Sequence, residues 1–163
     1  THAPEKVLQT IFSRCQSIRV LPLSKEEAAK VKALKPQEDR EEYDGFMDLF
    51  SDLMDAVISR NYMGALECAE AMSALESREK QKAFCTFASE CIRKIFLIQQ
   101  NLPQIADVPD EEYEFYQKAA QGCGRKFCSR SIPNIENVVA MIDRNVNSKI
   151  LFCDLVNRMF LSV

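Results

Sequence analysis

From Phe46 onward the apolar residues of this chain recur every three or four positions, a spacing that admits little besides helices packed on one another. Phe46, Leu49, Phe50, Leu53, Met54, Val57 and Ile58 form a wide stripe along one helix face. Arg60-Asn61 interrupts it, and a second helix carries Leu66, Ala69, Met72 and Leu75. Ser77 is expected to cap a longer third helix that buries Phe84, Phe87, Ala88, Cys91, Ile95 and Ile98 and ends near Leu102-Pro103. A fourth starts at Pro109-Asp110, runs through Tyr113, Tyr116 and Ala120, and stops at Gly122 and Gly124. Pro133 is expected to open a fifth with Ile135, Val138, Val139 and Ile142, and Ser148 to cap a sixth with Leu151, Leu155 and Met159. With only 4 Gly and 6 Pro among 163 residues, the composition argues against a turn-rich β-sandwich or barrel. The expected fold is all-α: an antiparallel bundle of five or six helices over residues 45–163.

The first 23 residues follow a different pattern. Glu5 to Arg14 reads as a short helix with Val7, Leu8, Ile11 and Phe12 on one face. Ser17 to Leu23 then alternates and is β-branched, and it closes on Pro22, so it reads as a strand. A single strand leaves its backbone groups without partners, which points to a sheet whose other strands lie outside this sequence. Between the two regions, residues 24–44 hold five basic and seven acidic residues and one aromatic, Tyr43. Ser24 with Glu27 forms a capping box, so Ser24 to Leu34 is expected to be a short exposed helix stopped by Pro36. Gln37 to Asp44 is either linker or the solvated start of the next helix, and the domain boundary is expected within 24–44.

Several chemistries are disfavoured. The one histidine, His2, leaves no partner to activate a serine or cysteine nucleophile, and no Gly-x-x-x-x-Gly-Lys-Ser/Thr phosphate loop occurs. A formal charge of −3 gives no global attraction for nucleic acid. The 7 cysteines cannot all pair. Cys68, Cys85, Cys91 and Cys153 fall on apolar helix positions, as expected of buried free thiols in a reducing, cytoplasmic setting. Cys123 and Cys128 have metal-like spacing but no second pair to close a tetrahedral zinc site, so they read as loop thiols, and neither a metal nor a cofactor is expected. No apolar run reaches membrane-spanning length.

What remains is basic. Arg78, Lys80 and Lys82, with Arg60 nearby in sequence, cluster around the start of the third helix; Arg125, Lys126 and Arg130 cluster after the fourth. Either cluster can touch a phosphate backbone, though cations at such positions more commonly serve as solvated surface charge. The string Thr10-Ile11-Phe12-Ser13-Arg14-Cys15-Gln16 places an arginine among small residues just before the strand.

Leu8-x-Thr10-Ile11-x-Ser13-Arg14-Cys15-Gln16, followed by Ile18-x-Val20-x-Pro22-Leu23, resembles the Ser-Arg-Cys motif of the AAA+ clamp-loader ATPases. Arg144-Asn145-x-Asn147-x-Lys149-Ile150-Leu151-Phe152-x-Asp154-Leu155 resembles the last helices of the delta-prime family of bacterial DNA polymerase III subunits. Ser77-Arg78-Glu79-Lys80-Gln81-Lys82-x-Phe84 resembles the Bacteroides-type form of that family. The resemblance implies a non-catalytic subunit of a five-subunit ring that opens a sliding clamp and places it on primed DNA in DNA replication. It implies that residues 1–23 end an AAA+ nucleotide-binding domain, that 24–44 stand for a shortened lid or linker, and that 45–163 are the collar through which subunits assemble. Arg14, flanked by Ser13 and Cys15, then matches the arginine finger reaching into a neighbour's ATP site, with gamma/tau and delta subunits as partners and the clamp and primer-template DNA reached indirectly. The family's nucleotide-binding loop, zinc cluster and Gly-rich lid segment have no counterpart in this sequence. Three other readings stay open: a gamma/tau-type ATPase fragment, a helical protein-interaction adaptor, and a thiol or metal protein.

Overall fold

A computed structural model describes residues 37–124 and 126–163, with side chains from Arg40 onward. The helix–strand segment of residues 1–23 and the capping box at Ser24 lie outside the described residues. Those residues form an all-α bundle of seven helices: α1 (Gln37–Ile58), α2 (Tyr62–Ser73), α3 (Arg78–Gln99), α4 (Pro103–Ala106), α5 (Tyr113–Gly122), α6 (Phe127–Asp143) and α7 (Ser148–Phe160). Gln37 to Asp44 is thus helical and forms the start of α1.

Helices α1, α3 and α6 end without glycine. Arg60, Asn101 and Asn145 each adopt a left-handed backbone, with φ of 60°, 59° and 61°. At each, the next amide bonds back to a carbonyl five residues earlier: Asn61 to Ala56, Leu102 to Leu97 and Val146 to Met141. These are Schellman closures, which usually recruit glycine for the left-handed residue. Asparagine tolerates that conformation through local hydrogen bonding. Arg60 is held there by donating to the carbonyls of Phe160 and Val163 while its guanidinium lies 5.4 Å from the Phe160 ring centroid.

Helix α3 is central. It packs on α6, α5, α4 and α2, while α7 packs on α2 and α6. Helix α1 joins through rings: Phe46 meets Phe84 at 5.5 Å, and Phe50 meets Phe87 and Phe115. Their edge-on geometry suits the ring quadrupoles. The expected stripe of α1 is buried at Phe46, Phe50, Leu53, Met54 and Val57, with Leu49 and Ile58 half-buried.

Four expectations change at the level of local structure. Pro133 lies inside α6 and does not open it. Its missing N–H frees only the carbonyl of Ser129, an exposed residue, and Pro133 is itself exposed, so the ring meets solvent rather than the core. Helix α6 therefore begins at Phe127, which converts Cys128 from a loop residue into one on the first helical turn and carries Arg130 onto the helix. Asn147, not Ser148, caps α7, its side chain accepting from the Ile150 amide at 3.3 Å. Helix α5 starts at Tyr113 rather than at Pro109, and the connection before it contains the single-turn α4.

Gly122 ends α5 against α1. A Cβ there would lie 2.6 Å from Ile58 Cγ2, inside contact distance. We expect Gly122→Ala to lose about 1–3 kcal/mol through overpacking. The gain in helix propensity, below about 1 kcal/mol at a terminal position, does not offset it. Chemical denaturation should show the loss shrinking in an Ile58→Ala background, because that change removes the methyl that clashes.

Candidate functional site

Ser77 opens α3 in an extended conformation and accepts from the Lys80 amide at 3.1 Å, as the sequence indicates. That cap sets the first basic cluster on the opening turns of α3, at the positive end of the helix dipole, where cations are disfavoured unless acids answer them. Acids do so here. Lys80 meets Glu76 at 2.8 Å, and Lys82 meets Asp143 at 3.0 Å and Glu79 at 3.9 Å. The hydrogen bond and charge of Lys80 hold the Glu76 carboxyl below its usual range. Arg78 instead serves α6: its Nη1 donates to the Ile142 carbonyl at 3.0 Å and to Asn145 Oδ1 at 2.8 Å. A guanidinium on the last carbonyls of a helix is the favourable dipole arrangement.

Arg60 does not belong to this cluster. It precedes α2 and binds the end of α7, whereas Arg78 follows α2 and sits near the start of α7. The 12 residues of α2 separate the two by about 18 Å at 1.5 Å per residue. The first cluster therefore ties the start of α3 to the end of α6 and leaves an exposed surface in which each cation already has an internal acceptor. In the second cluster Lys126 stands exposed at the cap of α6 and Arg130 is exposed on its first turns; Arg125 lies outside the described residues. Ser13, Arg14 and Cys15 lie outside them too.

Polar groups that the apolar pattern does not reveal hold the interior. Gln81, 5% exposed, donates to the Ser73 carbonyl at 3.1 Å and accepts from Ser148 Oγ at 2.8 Å, joining α2, α3 and α7. Gln99 donates to the carbonyls of Ala120 and Cys123, both at 3.0 Å, and accepts from the Cys128 thiol at 3.7 Å. The Tyr43 hydroxyl donates to Glu112 Oε1 at 2.8 Å, and burial with the neighbouring carboxylate pushes the phenol well above its ordinary range. The Tyr116 hydroxyl donates to Cys91 Sγ at 3.1 Å.

Cys123 and Cys128 are both buried, and among the described residues no three His, Cys, Asp or Glu side chains gather as a metal would need. Burial pushes the thiols up: Cys85 and Cys123 to about 12, Cys91 and Cys128 to about 11. A nucleophilic thiol needs the opposite shift. Cys153 is half-buried. Among the described residues no helix is long and apolar enough to cross a membrane. No family model, curated protein or solved structure matches the chain.

Two outcomes follow for the thiols. In a Cys15→Ser background near neutral pH, of the six described cysteines only Cys153 should react promptly with a disulfide reagent, the rest reacting on denaturation. The buried thiols keep their protons longer when folded than when unfolded, so the folded state binds more protons above the ordinary value of 9.0. Stability measured by denaturant titration should accordingly fall as pH rises from about 9 to about 11.

Proposed function

We propose that this chain is part of a non-catalytic clamp-loader subunit of the delta-prime type, serving DNA replication within a bacterial DNA polymerase III holoenzyme. The observation that carries the reading is the word Ser13-Arg14-Cys15 within Leu8 to Leu23, joined to the resemblance of residues 77–84 and 144–155 to the same family. The helical bundle supports it, since a collar is expected over this stretch and a collar is helical. Exposed apolar residues also suit an assembly module: Met63, Ile150 and Leu161 are 66%, 66% and 79% exposed.

In this reading the bundle joins neighbouring gamma/tau and delta subunits into a ring, and Arg14 enters the ATP site of one neighbour. A guanidinium stays charged at all relevant pH values and forks onto phosphate oxygens, so it neutralises charge that builds on the transferring phosphoryl group. Supplied from a second subunit, it makes hydrolysis depend on correct packing. The chain itself binds no nucleotide and acts on clamp and primer-template DNA through its partners. Lys126 and Arg130, both exposed, are better placed for a direct phosphate contact than Arg78, Lys80 and Lys82, which already meet internal acceptors.

In a loader reconstituted with the full-length subunit, Arg14→Ala should leave ring assembly intact. It should lower clamp- and DNA-stimulated ATP turnover by about a thousandfold or more, the scale of a lost arginine finger. Unchanged turnover would remove the finger role. A chain that stays monomeric and captures neither gamma/tau nor delta would instead favour the adaptor reading.

A further inference from the structure

The bundle's charge is unevenly distributed. Helix α1 carries eight acidic residues and one basic residue, whereas residues 59–163 carry 13 of each sign and are neutral in sum. Helices α1 and α2 lie side by side along a groove made of two cavities that meet at Ala71, with volumes of about 450 and 680 Å³. The floor is small or apolar: Gly45, Phe46, Leu49, Ala56, Ala71 and Ala74. At Gly45 a Cβ would meet no atom within 4 Å, so the groove is open to close approach there.

The rim is acidic. Asp52 from α1 and Glu67 from α2 face each other across the first cavity, and both push up the Cys68 thiol between them, after burial itself. Neither has an ion-pair partner among the described residues. Asp55 meets Lys118 at 2.8 Å, and Glu76 at the far end meets Lys80. The groove thus joins a small or apolar floor, open at Gly45, with two carboxylates, Asp52 and Glu67, that the bundle does not pair.

We infer that the α1–α2 groove is a docking site for a cationic amphipathic helix of a partner protein, with small apolar residues on the floor and Lys or Arg against Asp52 and Glu67. Charge complementarity selects this occupant: an acidic helix or a nucleic-acid backbone meets repulsion from the same rim. Helix-in-groove recognition uses an apolar face for affinity and flanking charge for register. The inference is independent of the clamp-loader reading, because it uses no residue before α1.

The test is anisotropy titration of the full chain with a labelled amphipathic peptide of about 18 residues, which spans about 27 Å as a helix. Leu and Ala form its apolar face and Lys its flanks. A peptide of the same composition in scrambled order is the control, and duplex DNA is titrated in parallel. The ordered peptide should bind about tenfold or more tightly than the scrambled one, and duplex DNA should not compete for the groove. D52K/E67K should weaken the ordered peptide about tenfold or more, whereas E111K/E136K, outside the groove, should change binding less than about twofold. Ala71→Trp fills the point where the cavities meet without changing charge, and should abolish binding. Equal binding of the two peptides, equal loss from both reversals, or unchanged binding in Ala71→Trp would each overturn the inference. If the double reversal unfolds by circular dichroism, D52N/E67Q replaces it, and undiminished binding there overturns the inference equally.

Discussion

Gln81 and Gln99 stand 18 residues apart near the two ends of α3, each with its carboxamide turned into the protein rather than out to solvent. A buried amide without partners costs about 1–3 kcal/mol, so each position is tolerable only when the correct neighbours arrive. The neighbours differ at the two ends. Gln81 is satisfied by the end of α2 and the first residue of α7, and Gln99 by the end of α5 and the start of α6. Apolar stripes can slide past one another by a turn at modest cost, but these amides cannot, and they fix the register of four helices on the central one. The aromatic contacts of α1 and the thiols lining α3 pack against an axis already located by these hydrogen bonds.

Electrostatics divides the surface. Cations at the start of α3 are spent on joining α3 to α6, and Lys149 reaches Glu70 to join α7 to α2 at 2.6 Å. Exposed pairs of this kind add little to stability singly. Asp52 of α1 and Glu67 of α2 are left without an ion-pair partner among the described residues, beside a groove with a small or apolar floor. Burial acts on the thiols in the opposite sense from activation, so they serve as compact apolar filling.

Helix existence was legible because it rests on a pattern of apolar positions, and the stripe from Phe46 to Ile58 needs no long-range information. Boundaries depended on rules of preference that this chain breaks. Pro133 looks like an opening residue by type but sits where its ring reaches solvent, and Ser148 looks like a cap while its hydroxyl goes to Gln81 and Asn147 caps instead. Left-handed closures at Arg60, Asn101 and Asn145 carry no glycine signal. The basic cluster was legible as charge, but the partner of Lys82 is 61 residues away, a separation that local spacing cannot foresee. Gln81 and Gln99 escaped notice because glutamine usually faces solvent. The Ser13-Arg14-Cys15 word is legible through resemblance alone.

The bond from Arg60 to the carbonyl of Phe160 spans 100 residues, and Tyr62 reaches Asn157 in the same region. Helix α2 lies between α1 and α3 in sequence, yet its main packing partner is α7. During synthesis the early hairpin therefore leaves the ribosome with its binding surface for α7 uncovered, and the corner at Arg60 stays unanchored until α7 arrives. Closing such a long loop has an entropic cost before the new contacts offset it. Pairing α2 with α7 thus gives the bundle a higher contact order than sequential hairpins would, and a higher contact order slows folding.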